Sequence, residues 1–440
     1  MGQNTPTKEL FDHYVIPTYG RFNLQLSQGK GTWVWSETGQ KFLDFGAGIA
    51  VTSLGHCHPK VIAKMQEQLE KLVHTSNLYF TRPQGLLAKK LVEIAGGSGK
   101  VFFCNSGAEA NEALYKLSRK FGNEAVGFAA SAASHTDSAE RSRYAIVSMR
   151  GSFHGRTLAG ISATGQDKVK IGFEPMVQGF VHADYNHEGS LIQAVETNDA
   201  AAVLIEPVQG ESGIHPATKE FLTTARELCN SRSMLLLFDE IQCGLGRTGE
   251  WNGWQSIAPD IVPDAISWAK GIAGGFPLGA IWVSNRPVML KSGEIKPLCD
   301  LLGPGTHGTT FGGTPLVCTG ALEVISIIEQ ENLLENARKQ GAYALDLIKS
   351  LQSPLIKDVR GMGLMIGIEF VPDVSTRCQK IAGKTPSLYV VEQLHAEGLL
   401  SVPSGTHTVR WLPPLNVSSD EIDSGVEIFQ KVLQKISLGV

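Results

Sequence analysis

The chain has 440 residues, 42% hydrophobic and 19% charged, which suits a folded protein of two or three domains and excludes a disordered one. Thirty-nine basic residues against 43 acidic ones leave a net charge of −4, so the chain lacks the basic footprint of a nucleic-acid binder. Its strongly apolar runs, such as 234–238, fall far short of the ~20 residues that span a bilayer, so no membrane segment is expected.

The first ten residues are polar, without the apolar core of a signal peptide, and Pro6 stands where a myristoylated Gly2 would need Ser or Thr. Across 31–44 the segment reads as a hairpin turning at Thr38-Gly39. Pro59 then suits the first position of a helix whose inner face is Ile62, Met65, Leu69 and Leu72. His56 and His58 just before it lack a third metal ligand and read as a structural turn; no metal is expected. The seven cysteines (57, 104, 229, 243, 299, 318, 378) are odd in number and scattered without Cys-x-x-Cys spacing. They argue for a reducing cytoplasm and against a disulfide scaffold or zinc site.

Further along, VFFCN (101–105) reads as a strand, followed by a turn at Ser106-Gly107 and a helix with Ala110, Ala113, Leu114 and Leu117 on one face. Residues 122–143 are small and polar and read as a loop or insertion. Apolar runs recur at 144–149, 201–207, 234–240, 265–270 and 278–284, with helical patterns between them. Runs of this kind are expected of strands buried on both faces, and the crossovers imply an α/β fold with a mostly parallel sheet. From about Ala321 one long helical pattern runs through LEVISIIEQENLLENA, and alternating segments follow near 359–370 and 408–415. A last helix opens with the capping box Ser418…Glu421 and turns Ile422, Val426, Phe429 and Ile436 inward. The expected division is a large central domain, 76–320, and a smaller one made from both chain ends, 1–75 and 321–440.

Two charged residues close neighbouring strands: Asp239 ends the 234–239 run and Lys270 ends AISWAK. Strand C-termini of a parallel sheet face the crevice where α/β proteins bind ligands. Each residue alone reads as a cap or salt bridge. Together they supply what a pyridoxal phosphate enzyme needs, an amine to bond the cofactor and an acid to keep its ring nitrogen protonated. The Ser106-Gly107 turn reads either as an ordinary N-cap or as an anion cradle with free N–H groups. A Walker motif is missing and no convincing G-x-G-x-x-G follows a strand, which weakens nucleotide readings, nicotinamide dehydrogenases included.

SGAEANE, SFHGRT (152–157), IEPVQGE (205–211), FDEIQCGLGRTG (238–249), WAKGIAGGFPLGA (268–280) and GTHGTTFGGTP (305–315) together resemble the class-III, fold-type-I, pyridoxal-phosphate-dependent aminotransferases. The resemblance covers nearly the whole chain. FFCNSGAEANE, HTSNLYFT (74–81), GHCHP (55–59) and VRWLPPLNVS (409–418) look closest to the acetylornithine aminotransferases of arginine biosynthesis; ornithine, succinylornithine and 4-aminobutyrate aminotransferases share most blocks. An aminomutase or decarboxylase on the same fold is a further alternative.

The resemblance implies pyridoxal 5'-phosphate bound through Lys270, with Asp239 facing the ring nitrogen and Glu206 supporting that aspartate. It implies Phe153 and Ile241 on the two ring faces, Gln242 at the phenolic oxygen, and Ser106, Gly107 and Ala108 around the phosphate. Thr310 would reach the phosphate of a neighbouring subunit, so a homodimer with shared active sites is implied. For substrates, an amino donor and 2-oxoglutarate, it implies Arg156 as distal carboxylate anchor, Thr309 as a further substrate-binding residue, and Arg410 as a second arginine that Glu211 covers when no second carboxylate is present. Thr314 replaces a common Asn and still suits an N-cap before Pro315; Ser212 replaces a common Gly beside Glu211.

Overall fold

Seven strands form the central sheet, in the order Lys100–Cys104, Gly279–Val283, Ala265–Trp268, Leu235–Asp239, Ala200–Ile205, Ala145–Met149 and Phe180–Ala183. The computed structural model describes residues 6–129, 143–375 and 384–439; Gly2, Cys378 and most of the expected 122–143 insertion lie outside them. Every residue of Ala200–Ile205 and Leu235–Asp239 is buried, as continuous apolar runs require. Their side chains alternate between two cores: Val203, Ile205, Leu236 and Phe238 on one face, Ala202, Leu204, Leu235 and Leu237 on the other. The helix Gly107–Glu124 covers the second face with Ala110, Ala113, Leu114 and Leu117, the residues expected from its periodicity. Strand pairing is parallel from Ala265–Trp268 through Phe180–Ala183 and antiparallel on both sides of Gly279–Val283, so the sheet is mostly parallel.

Both chain ends meet in another core. Lys41–Asp44, second strand of the expected hairpin, pairs in parallel with Leu399–Leu400, and Leu43 and Phe45 pack with Ile366, Ile368, Trp411 and Phe429. A four-stranded antiparallel sheet stands behind them: Ile356–Met362, Met365–Phe370, Thr408–Trp411 and Val402–Ser404. Its register puts Arg360, Gly367 and Arg410 in one cross-strand row. The capping box at Ser418 forms, and Ile422, Val426, Phe429 and Ile436 are buried. The helix Pro315–Gln330 bridges the cores, giving Cys318, Ala321 and Ile325 to one and Val324, Ile327 and Ile328 to the other.

Three local expectations need correction. The segment 122–128 is no loop: the helix runs on to Glu124, and Ala125–Phe128 is a strand paired with Pro287–Leu290. Its small residues serve close packing, since a Cβ on Gly122 would lie 1.8 Å from the Arg143 carbonyl oxygen. The long pattern after Ala321 is two helices, Pro315–Gln330 and Leu333–Ser350, broken where Asn332 takes φ 51°. Thr314 stands at the N-cap position before Pro315 without a side-chain capping bond. The helix Pro59–Leu69 buries Val61 and Met65, and Leu69 and Leu72 are exposed. That helix ends before Leu72 and presses Met65 onto Gly320, where a Cβ would come within 3.1 Å of the sulfur. His56 is tied structurally, its Nε2 lying 2.8 Å from Asp44 Oδ2. No helix among the described residues is long and apolar enough to cross a membrane.

Candidate active site

Strands Leu235–Asp239 and Ala265–Trp268 run in parallel register, Asp239 beside Ser267, and their C-terminal ends open into a cavity of about 470 Å³. Ser106, Gly107, Ala108, Phe153, Arg156, Glu206, Asp239, Ile241, Gln242 and Lys270 all border it. Ten residues expected from five separate stretches of sequence thus converge on one space.

Asp239 is buried and held on one side. Its Oδ2 accepts from Asn111 Nδ2 at 2.7 Å and lies 2.8 Å from His154 Nδ1; among the described residues Oδ1 accepts only the Ile241 N–H, at 3.1 Å. Oδ1 therefore keeps acceptor capacity, which suits a protonated ring nitrogen. Asn111 is oriented by Ser267, whose hydroxyl donates to Oδ1 of its amide at 2.8 Å, and both Asn111 and Tyr115 donate to the His154 carbonyl. Burial pulls the His154 imidazole down, but the hydrogen bond and charge of Asp239, helped by Glu206, outweigh it and raise the pKa above its ordinary value.

Lys270 leaves its strand with φ 47°, a left-handed conformation costly for a side chain with a Cβ. Burial lowers its ammonium pKa, against the opposing charges of Glu211 and Asp239. A depressed pKa favours the free amine that a nucleophile needs. Opposite lies the turn at the start of Gly107–Glu124, where Ser106 Oγ accepts the Glu109 N–H at 3.2 Å. A Cβ on Gly107 would come within 2.7 Å of Ile241 Cδ1, so the close approach of these two stretches needs glycine. The N–H groups of this first turn point to where an anion would sit.

Among the described residues no hydrogen bond joins Glu206 to Asp239. Glu206 accepts the Phe153 N–H at 2.9 Å and the Gly210 N–H at 3.4 Å, and so fixes the backbone of two loops. Support for Asp239 comes from Asn111 and His154 instead. Burial raises the Glu206 pKa to about 7, with Asp239 acting in the same sense and His154 against. Arg156 is exposed at the rim, its guanidinium carbon 5.5 Å from the Phe153 ring centroid. The adjacent Thr157 donates to Glu112 at 2.6 Å and caps the helix Leu158–Ala163.

Arg410 is buried, 1% exposed, with Nη1 2.8 Å from Glu211 Oε1, 2.7 Å from Gln242 Oε1 and 2.7 Å from the Gly210 carbonyl. Gln242 Nε2 in turn donates to Glu211 at 3.4 Å. Burial works against Glu211 ionisation, but the charges of Arg410 and Lys270 outweigh it and lower the carboxyl pKa. Thr309 Oγ1 accepts from Asn105 Nδ2 at 2.9 Å, and Thr310 is exposed; neither borders the cavity of its own chain. Sequence reasoning missed Asn111 and His154. Asn111 carried a usable signal, a polar residue on the apolar face of its helix, whereas nothing in the sequence links 154 to 239.

Residues 14–433 match the family model of class-III aminotransferases. The chain is 40% identical over 437 residues to an acetylornithine aminotransferase of Thermosynechococcus vestitus, covering 98% of this chain and 97% of that protein. It is 39% identical to the acetylornithine aminotransferase of Bacillus subtilis over 95% of this chain and 97% of the relative. Among solved structures, an ornithine aminotransferase from Toxoplasma gondii superposes with a TM-score of 0.86 at 29% identity, covering 99% and 97% of the two chains. An acetylornithine aminotransferase from Elizabethkingia anophelis gives 0.78 at 28% identity, covering 97% and 98%.

Proposed function

This chain belongs to the class-III, pyridoxal-phosphate-dependent aminotransferases, and from that membership we propose that it moves the terminal amino group of N2-acetylornithine to 2-oxoglutarate, giving N-acetylglutamate 5-semialdehyde and glutamate, a step of arginine biosynthesis. The observation that carries the reading is the Glu211–Arg410 ion pair beside the cavity that holds Lys270 and Asp239. A covered arginine suits a donor whose reacting end bears no carboxylate.

The residues fit pyridoxal 5'-phosphate. Lys270 would carry it, Asp239 with its free Oδ1 lone pair would meet the ring nitrogen, Phe153 and Ile241 would flank the ring, and Gln242 would face the phenolic oxygen. The Ser106–Gly107–Ala108 turn would take the phosphate. When bound, the cofactor supplies an electron sink for the carbon that loses its proton. Once the incoming amine has displaced it, Lys270 Nζ, with its lowered pKa, would be the free amine that takes up and gives back the proton of the substrate carbon. Asp239, oriented by Asn111 and His154, would hold the ring-nitrogen proton in place. Arg156 at the rim binds the distal carboxylate of either substrate, and Thr309 is hydrogen-bonded to the amide of Asn105, which borders the cavity. Glu211 covers Arg410 while the amine reacts and moves off when 2-oxoglutarate brings its α-carboxylate there.

A homodimer with shared sites belongs to the same proposal. Thr310 is exposed, as a residue serving a neighbouring subunit must be in one chain, and Leu78, Tyr79, Phe80 and Phe311 expose apolar surface. Cysteine usage supports a cytoplasmic setting. The test is a donor panel of acetylornithine, succinylornithine, ornithine and 4-aminobutyrate with 2-oxoglutarate, following glutamate. Acetylornithine should give the highest kcat/KM, and a clear preference for another donor overturns the substrate assignment.

A further inference from the structure

Glu211 sits in the tip, residues 210–214, of a short hairpin whose strands are Val208–Gln209 and His215–Pro216. Side chains of the C-terminal sheet hold this tip at both ends. At one end Arg410 Nη1 and Ser404 Oγ donate to the Gly210 carbonyl, at 2.7 and 2.8 Å. At the other, Arg360 Nε donates to the carbonyls of Gly213 and Ile214, at 2.9 and 3.0 Å. The row Arg360–Gly367–Arg410 explains the arrangement. Paired residues on neighbouring strands point to one face of a sheet, so two arginines flank a position without a side chain. The hairpin tip lies over that gap: a Cβ on Gly367 would meet the Gly213 oxygen and the Ile214 Cβ, both at 2.9 Å.

The clamp is costly to hold. Ile214 takes φ 58°, a left-handed conformation that a β-branched residue adopts only when its surroundings impose it. Arg360 is itself pinned, with Nη1 2.7 Å from Asp358 Oδ2 and 2.6 Å from Glu369 Oε2, and Nη2 3.4 Å from Thr408 Oγ1. Such a guanidinium, fixed by two carboxylates and spanning two carbonyls, uses a fork that lysine cannot reproduce.

We propose that Arg360 is a positioning residue for substrate selection, which holds the 210–214 tip so that Glu211 stays over Arg410. Arg360 does not border the cavity. It acts by setting how far the cover lifts, and thus how readily a carboxylate next to the reacting carbon reaches Arg410. The proposal rests on the reading of Glu211 and Arg410 as a switch. Loosening the clamp favours substrates that bring such a carboxylate, glutamate and 2-oxoglutarate, and leaves the ω-amine half-reaction near its original rate.

The experiment measures the amine half-reaction of the holoenzyme spectroscopically, with acetylornithine and separately with glutamate, in wild type, R360M, R360K, E211Q and the double variant E211Q/R360M. In R360M the glutamate-to-acetylornithine ratio of kcat/KM should rise about three- to tenfold, the value expected for losing one or two weak hydrogen bonds. The change should appear in KM for glutamate. R360K, which keeps a charge beside Asp358 and Glu369 and loses the fork, carries the same expectation and serves if R360M folds poorly. In the E211Q background the further change from R360M should vanish, because nothing is left to position. An E211Q ratio equal to wild type overturns the switch itself, and this role of Arg360 with it. A raised ratio in E211Q, with wild-type ratios in R360M and R360K, overturns the role of Arg360 alone. Equal losses of kcat with both donors also overturn it, since they mark a merely structural residue.

Discussion

At Asp239 one oxygen takes both the Asn111 amide and the His154 ring, while the other keeps a lone pair toward the cavity. An aspartate held in this way orients and charges a partner without being consumed. Asp239→Ala should therefore retain most cofactor by absorbance and lose at least about a hundredfold in kcat. Parallel loss of cofactor and turnover would instead make Asp239 a simple binding residue. Arg410→Ala addresses the other pole of the site. A charge-assisted carboxylate contact is worth about 1.5–3 kcal/mol, so the 2-oxoglutarate half-reaction should slow by roughly ten- to over a hundredfold, and the acetylornithine half-reaction much less. Single-turnover spectra separate the two, and equal impairment rejects the assignment. Glu240, next to Asp239, accepts the Gly253 and Trp254 N–H groups and the Cys243 thiol, yet burial raises its pKa to about 7. The native state thus holds a proton on Glu240 that the unfolded chain has already released. Its contribution favours folding below pH 4.5 and is lost as pH rises from 4.5 to about 7. Glu240→Gln should flatten the fall in Tm over the upper part of that window, measurable by differential scanning calorimetry between pH 5.5 and 8; an unchanged slope rejects Glu240 as its source.

The elements were the most legible layer of this protein, and for a physical reason. Leu235–Asp239 is apolar because both faces of the sheet are covered, and it ends in charge because the strand end meets the cavity; one run of sequence carries both facts. The Ser418 capping box and the Thr38-Gly39 turn are likewise local, set by bonds and dihedrals within a few residues. Small residues mislead because they serve two ends. Glycine and alanine in 122–128 look like loop composition but mark a helix and a strand packed closely, with Phe121 and Phe128 rings 5.4 Å apart. Gly122→Ala separates the meanings: a loop glycine tolerates the change, whereas here overpacking should cost about 1–3 kcal/mol and lower Tm. The roles of Glu206 and His154 were out of reach for another reason. Glu206 follows the strand Ala200–Ile205, next to the one that ends in Asp239, but order along a sheet does not say where a side chain turns, and Glu206 turns to the Phe153 backbone.

Across the whole molecule, the residues proposed for cofactor chemistry and those proposed for substrate choice rest on different cores. Asp239 and Lys270 stand on the seven-stranded sheet, whereas Arg360 and Arg410 stand on the antiparallel sheet that packs with Phe45. The helix Pro315–Gln330 joins these cores by giving side chains to both. The chain should accordingly unfold as one unit, and two resolved calorimetric transitions would contradict that. If Thr310 serves a neighbouring subunit, dilution should release cofactor and activity together. A fully active monomer by light scattering rules the shared site out.

The arginine row also has a consequence for how such enzymes can diversify. Both of its arginines are encoded within about fifty residues near the end of the chain, after every group expected to touch the cofactor ring. A recombination point in the loop at 351–355 would therefore graft another relative's sheet, and with it another clamp, onto an unaltered catalytic centre. Chimeras built that way should inherit donor preference from the C-terminal parent and cofactor absorbance from the N-terminal one. Donor preference that followed the N-terminal parent would locate the choice in Glu211 and its hairpin instead.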